Sequence, residues 1–270
     1  MLLTLTAALV GCLAPRAASS HTPAPESDTL RIAHLCDPQI GFGHGGLQDD
    51  LNEFCKEVET INRLSPDLVV VAGDMVNTPD SASISAFLEA ALKITPPVVY
   101  TPGNHDIYEP VTMAGLETYC RAFGPDFVVR DIKGRRLVSF NSLLLRGGPE
   151  EEMLRMRALI EEALTEAQDR EMPVILLSHV PPFAKSVDEA DEYFNMPSPV
   201  RTAMLDRFVA GGVFLWLAGH THTTGRNSYG PIEILNGENT SRNFDKRPKG
   251  FRLLTIAPDN SFTWEFVPSD

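Results

Sequence analysis

The sequence predicts an α/β fold with parallel strands, on two observations. Short apolar runs alternate with stretches of helical periodicity, the order strand, helix, strand, helix, strand that builds a parallel sheet. Five of the runs also stop at residues able to ligate a metal: Asp37, Asp74, Asn104 with His105, His179, and His220 with His222. In open α/β sheets ligands sit outside the carboxyl ends of the strands. The five endings therefore read as spokes converging on one metal site, with Asp74 at its hub.

Leu30 to Leu35 reads as the first strand and delivers Asp37-Pro38-Gln39. A glycine-rich loop follows, Gly41 to Gly46. Leu51, Phe54, Cys55, Val58, Ile61 and Leu64 then recur at helical spacing, with Asp49 or Asp50 placed to cap the helix and Ser65-Pro66 to stop it. Leu68 to Ala72 is a continuous apolar run of the kind buried on both faces of a sheet, and Gly73 turns it into Asp74. Ile84 to Lys93 is helical by pattern. Val98 to Tyr100 is a short strand ending in Thr101-Pro-Gly-Asn-His-Asp106.

Residues 110 to 136 show no clear period. Leu137 to Asn141 reads as a strand, and Glu150 to Arg170 as a long charged helix with a stripe of Leu154, Ala158, Leu159 and Leu164. Val174 to Leu177 is another buried strand, ending in Ser178-His179. Val180 to Pro199 is a proline-rich, acidic loop, and loops of that length in a compact domain are usually functional. Val200 to Ala210 reads as a helix and Val213 to Ala218 as a strand ending in Gly219-His-Thr-His222. From Ile232 onward, strand-like segments without helices between them predict an antiparallel or mixed edge.

A net charge of −13 with no basic block argues against a nucleic-acid partner. Met1 to Cys12 is apolar and too short to span a bilayer, which predicts a secretory signal. Leu9-Val10-Gly11-Cys12 is similar to the bacterial lipobox, although no Lys or Arg follows Met1 ahead of it. This predicts a signal over 1–12 lipidated at Cys12, an Ala-, Pro- and Ser-rich tether over 13–28, and a catalytic domain over 29–268. The expected location is an exported lipoprotein facing the periplasm or cell exterior, touching the membrane only through its lipid. Cys12→Ser should then move the protein from the membrane to the soluble fraction; a wild type already soluble in the cytoplasm would sink the anchor. Cys36 reads as a buried thiol, and an exported protein leaves a Cys55–Cys120 disulfide open.

The candidate ligands Asp37, Gln39, Asp74, Asn104, His179, His220 and His222 mix oxygen and imidazole donors without thiolate, a set suited to Mn, Fe or Zn. Seven groups are too many for one ion and suit two divalent ions. In such a site a carboxylate bridges the metals, and a hydroxide between them attacks phosphorus.

Asp37-x-Gln39, Gly73-Asp74-x-x-Asn77, Gly103-Asn-His-Asp106, His179 and Gly219-His-x-His222 together resemble the calcineurin-like metallophosphoesterases. The resemblance implies two packed mixed sheets flanked by helices, an α-β-β-α sandwich. It implies one metal on Asp37, Gln39, Asp74 and His222, and a second on Asp74, Asn104, His179 and His220. His105 would stand beside the phosphate as general acid or charge stabiliser, oriented by Asp106. Two departures narrow the branch. Gln39 replaces the usual His of the first motif, and Asn77 stands where purple acid phosphatases carry a metal-binding Tyr. The Asp37-Pro-Gln start, Gly73-Asp-Met-Val-Asn77 and Asp191-Glu-Tyr-Phe-Asn195 look like a branch with serine/threonine phosphatase activity, which implies phosphomonoester hydrolysis.

Two alternatives stay open. One is a phosphodiesterase on cyclic nucleotides or nucleotide diesters, which would use the same metal core. The other is a non-catalytic metal-binding lipoprotein of the same fold, which the presence of His105 disfavours. Beyond the candidate ligands, His34 reads as core, Asn77 as a partner of loop backbone, and Tyr193 and Phe194 as loop packing, with a role as substrate platform left open. His44 and Arg146, both in loops, are candidate substrate contacts.

Overall fold

The computed structural model describes residues 28–269. The signal, the lipidation candidate Cys12 and the tether up to residue 27 lie outside the described residues. In chain order the first half runs β1 (Leu30–Leu35), α1 (Gly46–Leu64), β2 (Leu68–Val71), α2 (Ser81–Ala91), β3 (Val98–Tyr100), α3 (Asn104–Ile107), α4 (Met113–Phe123), β4 (Phe127–Ile132) and β5 (Arg135–Phe140). The second half runs α5 (Leu143–Arg146), α6 (Glu150–Asp169), β6 (Val174–Leu177), α7 (Ser198–Ala210), β7 (Val213–Ala218), β8 (Gly225–Tyr229), β9 (Ile232–Asn236), β10 (Gly250–Ile256) and β11 (Phe262–Pro268).

The strands form two mixed sheets, in the orders β11-β10-β1-β2-β3 and β4-β5-β6-β7-β9-β8. Within them β1, β2 and β3 are parallel, as are β5, β6, β7 and β9. Side chains alternate across each strand. Leu68 and Val70 of β2 join Ile175 and Leu177 of β6 and Leu215 and Leu217 of β7 in the core between the sheets. Val69 and Val71 point the other way, into the cluster that holds Phe54 of α1 and Phe87 of α2. Both faces of these strands are buried, which is why they read as unbroken apolar runs.

The aperiodic stretch 110–136 contains a helix and a strand. Thr112 caps α4 by accepting from Gly115 N, and Leu116, Tyr119 and Phe123 bury one face. β4 lies at a sheet edge and is nowhere fully buried, so its sequence carries little apolar signal. The tail divides between the sheets: β9 pairs parallel to β7, while β10 pairs antiparallel to β1. Neither Asp49 nor Asp50 caps α1, which begins at Gly46 after a Gly45 with no capping side chain. Asp50 lies within the helix, and its carboxylate accepts from Gly41 N (3.0 Å) and Gly43 N (2.8 Å), folding the glycine loop back. Cys36, Cys55 and Cys120 are free thiols, so Cys55 and Cys120 are not joined.

Glu57 is fully buried on α1, where the Ser269 hydroxyl donates to one of its oxygens and the other has no partner. Burial raises its carboxyl from 4.5 to about 8. The unfolded chain releases this proton first, so stability is highest below the unfolded value and falls as pH rises toward about 8. Glu57→Gln should leave melting near pH 5 unchanged and stabilise the protein above pH 8 by ~2–4 kcal/mol. Melting curves at the two pH values check this, and an equal effect at both would refute it.

Candidate metal centre

The spokes meet at one end of the two sheets. Asp37 follows β1, Asp74 follows β2, Asn104 opens α3 just after β3, His179 follows β6, and His220 and His222 follow β7. Five of the candidate ligands leave their strands in a left-handed backbone: Asp37 (φ 48°), Gln39 (φ 39°), Asp74 (φ 52°), His220 (φ 67°) and His222 (φ 50°). Non-glycine residues rarely adopt this conformation, and it concentrates where function over-determines the backbone. Two glycines are fixed by close approach. A Cβ on Gly73 would lie 2.6 Å from His179 Nδ1, and one on Gly103 would collide with the Asp74 carboxylate.

Backbone carbonyls set the state of every histidine in the site. A carbonyl only accepts, so the ring nitrogen facing it carries hydrogen and a neutral ring keeps its lone pair on the other nitrogen. His179 Nδ1 donates to Ala72 O (2.7 Å), His220 Nε2 to Tyr193 O (2.9 Å), His222 Nδ1 to Arg242 O (2.7 Å) and His105 Nδ1 to Asn77 O (2.9 Å). The lone pairs of His179 Nε2, His220 Nδ1, His222 Nε2 and His105 Nε2 are left for the centre.

Those lone pairs face other acceptors. His179 Nε2 is 3.0 Å from Asn104 Oδ1, 3.1 Å from His220 Nδ1 and 3.3 Å from Asp74 Oδ2. Asp74, His179 and His220 thus form a buried group with the spacing of metal ligands. Beside it, His222 Nε2 lies 3.5 Å from Asp37 Oδ1, and the buried Gln39 Oε1 has no partner. Buried acceptors facing one another repel unless a cation lies between them. The donor set therefore fits divalent ions.

The electrostatics agree. Burial works against the charged form of His179, but Asp74 and Asp37 outweigh it and raise the ring to about 9. Burial and the neighbouring His179 push His220 well below its usual value, which keeps it neutral. Burial also opposes ionisation of Asp74, yet His179 and the backbone N–H of His105 hold its carboxyl well below the usual range. With its pKa raised, His179 can hold a proton on Nε2 among these acceptors when no cation is bound, and metal binding would have to displace that proton.

Not every expected role matches the geometry. Asp106 does not orient the His105 ring, which Asn77 O does instead. At the third position of α3, the Asp106 carboxylate reaches back to accept from Gly103 N (2.8 Å), Met75 N (2.9 Å) and Val76 N (3.3 Å), tying the two motif loops together. The Asn77 side chain accepts from Gln39 Nε2 (3.3 Å), not from a loop N–H, and so turns Gln39 Oε1 free. His34 is core, as expected, within reach of Cys36 Sγ (3.2 Å), and His44 is exposed in the glycine loop. Tyr193 is part of the site: its hydroxyl accepts from Asn104 Nδ2 (2.9 Å) and its ring lies 4.8 Å from that of His220. The sequence signals for it are the length of its loop and its place in Asp191-Glu-Tyr-Phe-Asn195, one of the stretches that carry the branch resemblance. Arg146 lies one ring further out, its guanidinium carbon 5.9 Å from the Tyr193 ring centre and its Nε 3.5 Å from Glu109.

The model of the calcineurin-like phosphoesterase family matches residues 30–224, which include every one of these groups except Arg242. The chain belongs to this family. Among relatives of this calcineurin-like phosphoesterase, the serine/threonine-protein phosphatase CPPED1 of Rattus norvegicus is 25% identical over 246 residues, covering 83% of this chain and 79% of the relative. The 3',5'-cyclic adenosine monophosphate phosphodiesterase CpdA of Pseudomonas aeruginosa is 25% identical over 250 residues, covering 88% and 86%. In fold the chain is similar to a dimetal phosphatase from Danio rerio, with a TM-score of 0.69 at 12% identity over 89% of this chain and 96% of the other. Membership makes the chain a metal-dependent phosphoesterase, and the buried carboxylate–histidine cluster is where its metal chemistry would reside.

Proposed function

We propose that this calcineurin-like phosphoesterase hydrolyses phosphomonoesters with two divalent ions. Asp37, Gln39, Asp74 and His222 would hold one ion, and Asp74, Asn104, His179 and His220 the other. The observation that carries this is the pair of neighbouring acceptor groups: the set around His179 Nε2, and beside it Asp37 Oδ1, His222 Nε2 and the partnerless Gln39 Oε1. Bound ions of this kind supply Lewis acidity and lower the pKa of water to about 7. The chain's own contributions are orientation and proton handling. The four carbonyls fix the imidazoles, Asp106 fixes the loops, and His105 presents Nε2 for the leaving oxygen.

The similarity to a named serine/threonine phosphatase and the nearby Arg146 cation, which pairs better with a phosphate dianion than with a monoanion, support a monoester. The similarity to a named cyclic nucleotide phosphodiesterase keeps a diester as the second reading. Metal-loaded protein is expected to turn over p-nitrophenyl phosphate with a higher kcat/KM than bis(p-nitrophenyl) phosphate. The reverse ratio would make it a phosphodiesterase, and no turnover of either ester would make it a binding protein of the same fold.

Gln39 makes the two ion sites unequal. Its amide would ligate through oxygen, so its site would offer three oxygens and one nitrogen, and the neighbouring site two of each. Oxygen ligands suit Mn or Mg, and imidazole suits Zn and Fe. The Gln39 site should bind its ion more weakly and respond most to added Mn²⁺. Gln39→His is expected to tighten it by roughly tenfold in calorimetric titration, the scale of tuning around metal ligands. Equal affinities in the two forms would mean that Gln39 contacts no metal.

A further inference from the structure

We propose that Tyr193 is a positioning residue for the Asn104, His179 and His220 ion site, acting through Asn104 and His220; the inference rests on the metal reading above. Two atoms of this one residue touch two candidate ligands. The Tyr193 carbonyl accepts from His220 Nε2 (2.9 Å), which aims Nδ1 at the centre, and the hydroxyl accepts from Asn104 Nδ2 (2.9 Å). Asn104 is buried, so its amide N–H₂ needs a protein acceptor whenever Oδ1 is committed to a cation. The Tyr193 hydroxyl is the acceptor in place. Without it, the amide N–H₂ loses this protein acceptor, and turning the amide to donate to His179 Nε2 would take its oxygen away from the centre.

The residue is held firmly enough for this role. Its loop lies between β6 and α7 and is pinned at both sides of Tyr193. The Glu189 carboxylate accepts from Ala184 N (2.8 Å), Lys185 N (2.8 Å), Ser186 N (3.2 Å) and Asn195 Nδ2 (2.7 Å). The fully buried Arg201 donates to the carbonyls of Val187 (2.7 Å), Glu189 (2.8 Å) and Met196 (2.8 Å). The Tyr193 ring itself packs between His220 and the Arg146 guanidinium. Although Tyr193 is 51% exposed, its hydroxyl, carbonyl and ring are each engaged by a residue of the site or its rim.

Tyr193→Phe keeps the ring, the carbonyl and the loop and removes only the hydroxyl. Mn²⁺ titration of metal-free protein by calorimetry should show one site weakened ~10–100-fold and the other unchanged, the usual cost of losing an outer partner of a metal ligand. The melting temperature of the metal-free protein should not move. In an Asn104→Ala background the same substitution should cost nothing further, because the amide it serves is gone. Unchanged affinity in Tyr193→Phe, or an equal loss with and without Asn104, would overturn the role. A wild type that takes up no Mn²⁺ would overturn the metal reading, and this inference with it; a wild type that binds two ions, with affinities that do not change on loss of the hydroxyl, would overturn this inference alone.

Discussion

Asp74→Asn should cost the protein its metal and its turnover together. In the proposed two-ion site Asp74 is the one ligand that both ions would share, and its two oxygens are already divided. Oδ1 accepts the His105 backbone N–H at 2.8 Å, and Oδ2 faces His179 Nε2 at 3.3 Å. Asparagine has nearly the same shape but removes the charge and replaces one lone-pair oxygen with a donor. It also removes the largest influence raising His179, which would then be neutral more of the time. Even partners one shell removed from a metal are worth ~10–100-fold in affinity, so a shared charged ligand should be worth more than ~100-fold. Elemental analysis after dialysis and turnover of p-nitrophenyl phosphate would read the two losses. A variant that keeps both ions and its activity would remove Asp74 from the hub. If the ions leave but turnover persists, the reaction does not depend on this site.

The parts of this centre differ in how openly the sequence carries them. Strands β1, β2, β6 and β7 are legible because both of their faces are largely buried, and the half-buried edge strand β3 because it leads, like them, to a polar residue that only a ligand or partner would justify. Edge strand β4 and strand β8 are not. β8, Gly225–Tyr229, has no apolar run at all and is held by pairing to β9 and by side-chain ties such as Arg226 to Glu233. The start of α1 departs from the sequence pattern because Asp50 serves the glycine loop, where unpaired N–H groups compete for the same carboxylate. Least legible was what orients the ligands. The acceptors for the imidazoles are main-chain carbonyls of Ala72, Tyr193, Arg242 and Asn77, and a carbonyl is present at every residue, so nothing in the sequence marks these four. Tyr193 was hidden for a related reason: its bond to Asn104 joins residues 89 apart.

His105→Ala should produce the opposite pattern from Asp74→Asn, with metals retained and chemistry lost. The His105 ring is tied to the protein by Nδ1, which donates to Asn77 O at 2.9 Å, and it has no bond to any of the candidate ligands. What those residues do use is the His105 backbone N–H, which alanine preserves. Alanine therefore leaves the metal centre intact and removes only Nε2. General acid–base catalysis is typically worth ~10²–10⁴ in rate, so kcat should fall by that range with little change in metal content. The leaving group then separates two roles. If His105 donates a proton to the departing oxygen, the loss should be greater for an alkyl phosphate, whose alkoxide needs the proton, than for p-nitrophenyl phosphate, whose phenolate leaves without one. If His105 only stabilises charge on the phosphoryl group, the two esters should lose equally. Loss of metal from the His105 variant would contradict both roles, because it would make the ring part of the ligand set that Asp74 organises.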